Sequence, residues 1–150
     1  MLIGVEAYNN QAFDKQFFNS DNYKIIAQDP TIQQEWGRRN IKEVAQTFLD
    51  NGISDQSVIR SAMQNGVNGD EYKSISSIGV TDVKHYRKVR DKNRHKGLSA
   101  SQIAARMQIA KNLPDRLFND ESGFIRYAKR FGIDDENDAR RLFREIDDFT

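Results

Sequence analysis

The chain has no cysteine, two prolines and two histidines in 150 residues. The first absence excludes disulfides and thiolate metal sites. The two histidines, His85 and His95, both fall in one basic segment and leave no Ser-His-Asp or Cys-His set with a local signature. They are ten apart, about 1000° around a helix, so they do not share a face for a metal ion. No run reaches the roughly 18 apolar residues of a membrane helix. Met1-Leu2-Ile3-Gly4-Val5 meets Glu6 without a basic leader and is not expected to act as a signal peptide. A phosphate-cradling glycine loop is missing too. Asp134, Glu136 and Asp138 imitate the opening of a calcium loop, but Ala139 stands where that loop needs glycine, so they read as an acidic helix start. These absences lead us to expect a soluble, cytoplasmic protein without catalytic residues, metal, cofactor or membrane partner.

What the chain does have is punctuation. Five times a glycine is followed by a branched aliphatic and a helix-capping residue: Gly52-Ile53-Ser54, Gly66-Val67-Asn68, Gly79-Val80-Thr81, Gly97-Leu98-Ser99 and Gly132-Ile133-Asp134. Glycine takes the left-handed conformation that ends one helix, and the capping side chain accepts a backbone N–H at the start of the next. Glu71 and Gln102 complete two capping boxes, while His85 and Asp138 fall at the hydrophobic-staple position of two other corners. Successive glycines lie 14, 13, 18 and 35 residues apart, which excludes a solenoid of fixed period.

Between the corners the apolar residues recur at helical spacing. Asp29-Pro30 opens a helix that carries Ile32, Trp36, Ile41, Val44, Ala45, Phe48 and Leu49 to Asn51, with Gly37 as a kink. Further helices are expected over about 55–64, 69–77, 82–94 and from Ser99, and two more carry Phe124 to Phe131 and Ala139 to Ile146. No strand is expected beyond the apolar residues at the extreme N-terminus. The expected fold is all-α: one compact domain, 1–150, of seven or eight short helices, with residues 1–29 as a less regular, aromatic-rich arm.

Charge is distributed unevenly. Residues 1–83 carry a net charge of −4, residues 84–116 carry +8, residues 117–131 carry +1 and residues 132–150 carry −4. Such a basic block attracts polyanions or acidic protein faces. In the helix after Thr81, Val83, Tyr86 and Val89 define an apolar face. Lys84, Lys88, Lys92 and Lys96 recur every fourth residue on the other, a ridge about 18 Å long if the helix persists to Lys96. Arg87, Arg90 and Arg94 flank it, and Asp91 alone offers local relief. A solvated lysine face normally interleaves acids; this one does not, which points to an anionic ligand.

Residues 97–113 follow at once, with a Ser99-capped start, a Gln102-Ile103-Ala104 core, apolar Met107 and Ile109, and Leu113 where a second helix would dock. Over residues 97–118 the sequence resembles the helix-turn-helix of DNA-binding regulators and recombinases. The resemblance implies a second helix in the major groove, with Lys111, Asn112, Asp115 and Arg116 facing bases or phosphates. Arg106 joins the nucleic-acid set from the same segment. Gln108 occupies the family's usual turn glycine and Pro114 would fall in the recognition helix, so one continuous helix from Ser99 to Asn112 stays open as the alternative. Residues 41–60, through Gly52-Ile53-Ser54, form a fainter corner of the same kind, which we read as packing.

Two functions remain. The first is a nucleic-acid-binding, most simply DNA-binding, protein that places the basic segment on phosphates. The second is a protein-interaction module or inhibitor, of phage or other mobile-element type, whose basic face meets an acidic partner.

Overall fold

The computed structural model describes residues 11–150, and all regular structure among them is helical. The apolar N-terminal stretch where a strand was conceivable lies outside the described residues. Ten α-helices are present among the described residues, against seven or eight expected. Two of the additional helices lie in the aromatic stretch: α1 (residues 11–18) and α2 (Asp21–Ala27), the latter capped by Ser20, whose Oγ accepts the Tyr23 N–H at 3.3 Å. The third arises because the long helix expected after Pro30 is two, α3 (Pro30–Trp36) and α4 (Ile41–Asp50). Gly37 does more than kink this segment: at φ 74° and ψ 148° it leaves helical space altogether.

The other helices are α5 (Gln56–Gln64), α6 (Gly69–Ser76), α7 (Val83–Lys92), α8 (Ala100–Lys111), α9 (Glu121–Lys129) and α10 (Glu136–Arg144), with short 3-10 turns at Arg94–Lys96, Asp115–Leu117 and Ile146–Phe149. The corners between them turn as expected, each glycine at positive φ: 74° at Gly52, 69° at Gly66, 93° at Gly79, 66° at Gly97 and 87° at Gly132. Four close as Schellman motifs, for instance with the Ile53 N–H on the Phe48 carbonyl and the Gly52 N–H on the Leu49 carbonyl.

The caps differ in register. Asn68 caps α6 and Ser99 caps α8 in a reciprocal box with Gln102, both as expected. At the other three corners the cap is Asp55, Asp82 and Asp135 rather than Ser54, Thr81 and Asp134. In each of these an aspartate follows the anticipated cap, and at Asp55 and Asp82 its charge suits the positive end of the helix better than the hydroxyl of Ser54 or Thr81. The one-residue shift places His85 and Asp138 at the third helical position, where their N–H groups bond the cap carboxylate. Buried Tyr86 and Ala139 take the staple position instead.

Chain contacts divide the molecule into two compact units, Met1–Lys73 and Ser74–Thr150. In the first, Ile26, Ile32, Ile41, Ala45, Phe48, Ile59 and Met63 form the core. Asp29 ties it together: its carboxylate, 5 % exposed, caps α3 at the Thr31 and Ile32 N–H groups and also accepts from Arg60 Nε at 3.0 Å and Gln64 Nε2 at 2.8 Å. Burial raises this carboxyl's pKa, but the bonds from Gln64, Ile32, Arg60 and Thr31 outweigh it and hold the group below the usual carboxylate range. The Trp36 indole N–H donates to the Met63 carbonyl at 2.8 Å, fastening α3 to α5. At the start of α6, Gly69 lies so close to the Thr47 and Phe48 backbone that a Cβ would overlap it.

In the second unit α8 is central, with Ile103, Ala104, Met107 and Ile109 buried. Around it the unit buries Tyr86 and Val89 of α7, Phe124 and Ala128 of α9, Leu142 of α10 and Phe149 of the last turn.

Candidate functional site

Helix α7 starts from the Asp82 cap because Val83, Tyr86 and Val89 recur on one face and are buried there. That burial turns Lys84 and Lys88 outward. Both are exposed, one turn apart, and neither meets an acidic partner among the described residues. The three arginines behave differently. Arg90 Nε and Arg94 Nη2 each reach Asp91 Oδ1 at 3.1 Å, and Arg87 Nε reaches Asp91 Oδ2 at 3.5 Å. Burial raises the Asp91 pKa, yet the hydrogen bonds and charges of Arg94 and Arg90 bring it below the ordinary range. The single acid noticed in this segment thus gathers all three guanidinium groups.

The expected four-lysine ridge does not form. α7 ends at Lys92, and Lys96 lies in the following 3-10 turn, its side chain 13 % exposed. Lys96 Nζ pairs with Asp148 Oδ2 at 2.7 Å and Glu145 Oε2 at 2.9 Å and lies over the Phe149 ring. Lys92 Nζ is 3.9 Å from Asp148 Oδ1, and Asn93 Nδ2 donates to the Asp148 carbonyl at 2.9 Å. Burial lowers the Lys96 pKa, but the bonds from Asp148 and Glu145 more than compensate and raise it; Asp148 is held low by the same Lys96 bond. The acidic C-terminal block therefore sits on the distal half of the basic one. The opposite charges of residues 84–116 and 132–150 were a signal for this pairing, but charge totals do not tell which lysines are used.

Arg106 also leaves the surface set. It is 9 % exposed on α8, where Nη1 donates to the Gln102 carbonyl at 3.1 Å. Burial pulls the guanidinium below its ordinary pKa, with the Asp138 charge opposing and that of Arg141 reinforcing the shift. Helix α8 runs unbroken through Gln108 over Ala100–Lys111, as in the continuous-helix alternative, and Pro114 precedes the separate 3-10 turn Asp115–Leu117. Asn112 turns its amide back to the Gln108 carbonyl and gives its own carbonyl to the Tyr127 hydroxyl at 3.0 Å. Lys111 and Arg116 are exposed and enter no ion pair among the described residues.

The chain matches no protein-family model, and no curated protein and no solved structure shows significant similarity to it. Its functional reading rests on its own geometry. Lys111 and His85 share the wall of a cavity of about 480 Å³, with Val80, Met107 and Phe149 among its apolar lining and Gln108 beside Gly79. Of the three unpaired lysines only Lys111 lines this cavity; Lys84 and Lys88 flank His85 along α7. Sequence places His85 only in the basic segment, and the packing of α7 on α8 brings it to the same cavity wall as Lys111.

Proposed function

We propose that the protein binds nucleic acid through the proximal half of α7, with Lys84, Lys88 and Lys111 on phosphates. The observation that carries this reading is the pair Lys84 and Lys88: two exposed ammonium groups one turn apart, with no acid to neutralise them among the described residues. Like charges at this spacing repel by about 0.2–0.5 kcal/mol, a cost that a bound polyanion removes. Lys92, Lys96 and Arg106 are left out of the contact set because their charges are already engaged or buried. No recognition helix is invoked, so affinity should depend little on sequence.

Salt dependence of duplex binding tests the reading. Three phosphate contacts give a log–log slope of roughly −2.7 at about −0.9 each, and changing Lys84, Lys88 and Lys111 together to Gln should flatten nearly all of it. Lys92→Gln should leave the slope unchanged. Loss of slope in Lys92→Gln but not in the triple variant would refute the proposed footprint.

A second reading has its own support. Lys92 and Lys96 already hold the Glu145 and Asp148 carboxylates, so this segment accepts acidic protein groups. If the protein binds no duplex, single strand or RNA at low salt, an acidic protein partner on Lys84 and Lys88 becomes the reading of choice.

A further inference from the structure

Arg106 is the one buried cation among the described residues, and no carboxylate there pairs with it; its bond is to a carbonyl of its own helix. Buried charges are ordinarily paired, since desolvation is expensive. Arg106 lines a groove of about 390 Å³ between α8 and the corner that joins α9 to α10, within the usual range of ligand pockets. Phe131 and Ile133 line its apolar part, Ser101 offers a hydroxyl, and Asp134, Asp135 and Asp138 stand around it. Asp135 spends one oxygen on capping α10. Asp134 and Asp138 are exposed, and neither carboxylate accepts a hydrogen bond among the described residues. Asp138 lies close enough to act on the Arg106 charge but forms no ion pair with it.

The arrangement selects for a particular ligand. One buried cation with three aspartates leaves the groove net negative, which repels a simple anion. A simple cation would leave the guanidinium unsatisfied. A ligand carrying both charges meets both needs. We propose that this groove binds the carboxylate end of a basic amino acid or basic peptide, with the carboxylate on Arg106 and the side-chain cation on Asp134 and Asp138. Arginine's planar fork suits a carboxylate, and Phe131 and Ile133 suit the methylene stem of a lysine or arginine. The site is independent of the proposed nucleic-acid surface.

Isothermal titration of the full chain with L-lysine, L-arginine and the dipeptide Gly-L-Lys tests this, with cadaverine (no carboxylate) and L-norleucine (no side-chain cation) as controls. Saturable binding of at least one basic probe is expected, weakened about tenfold or more in both controls, as for loss of one charged hydrogen bond. Arg106→Met should abolish the preference for lysine over cadaverine. The double variant Asp134→Asn, Asp138→Asn, made at exposed positions, should abolish the preference for lysine over norleucine. Binding of Gly-L-Lys but not lysine identifies a peptide terminus, and the reverse identifies a free amino acid; either supports the site. Failure of every basic probe to bind, cadaverine binding as well as lysine, or unchanged preferences in the double variant would overturn it.

Discussion

Each unit buries a charge, and the two are treated in opposite ways. Asp29 in the first unit is surrounded by four donors from its own helix start and from α5. Arg106 in the second has one backbone carbonyl and an open groove. A satisfied buried charge holds elements together, because removing it leaves its partners without theirs. An unsatisfied one adds little stability and keeps its bonding capacity for something else.

Asp29→Ala should produce the largest effect, a loss of about 3 kcal/mol measured by denaturant unfolding, since it deletes a cap and strands Arg60 and Gln64 together. A loss below about 1 kcal/mol would break the comparison. Its pH dependence sharpens it. The folded-state pKa is depressed, so the stabilisation is complete above the ordinary value of 3.8 and is lost as pH falls through the lowered one. Asp29→Asn should remove that part of the acid unfolding transition.

Gly69→Ala should cost about 2 kcal/mol, because the Thr47 and Phe48 backbone on which it lies cannot swing aside as a side chain would. A circular dichroism melt gives the value, and wild-type stability would mean that α6 approaches α4 less closely. Arg106→Met should have the smallest effect, within about 1 kcal/mol of wild type and of either sign, since it replaces an unpaired buried charge by apolar volume. A loss near that of Asp29→Ala would show that Arg106 is a structural residue and that the two buried charges are alike.

The same contrast recurs along α7. Its proximal lysines, Lys84 and Lys88, are exposed and unpaired, while its distal cations are held by Asp91, Glu145 and Asp148. In sequence all four lysines look alike, because the period of four is a property of the helix and says nothing about what approaches it. The ridge was legible only as far as its helix: Asn93 ends α7 by donating to its own Val89 carbonyl and to the Asp148 carbonyl, 55 residues on. Arg106 was placed with the surface cations on charge alone. Its neighbours Ile103, Ala104, Met107 and Ile109 already mark α8 as enclosed on most sides, the one local sign that a cation there would be buried.

The helix boundaries at the glycine corners were determined by the sequence itself, because a glycine at positive φ and a carboxylate on the first free N–H groups act within a few residues of each other. Even the cap shift to Asp55 and Asp82 obeys that local chemistry. The state of each charge was decided by tertiary structure alone. Pairing Lys96 with Asp148, exposing Lys84, and burying Arg106 beside Asp138 without a bond between them depend on segments that meet only when the chain has folded, and Coulomb energies and desolvation depend on those distances rather than on separation along the chain.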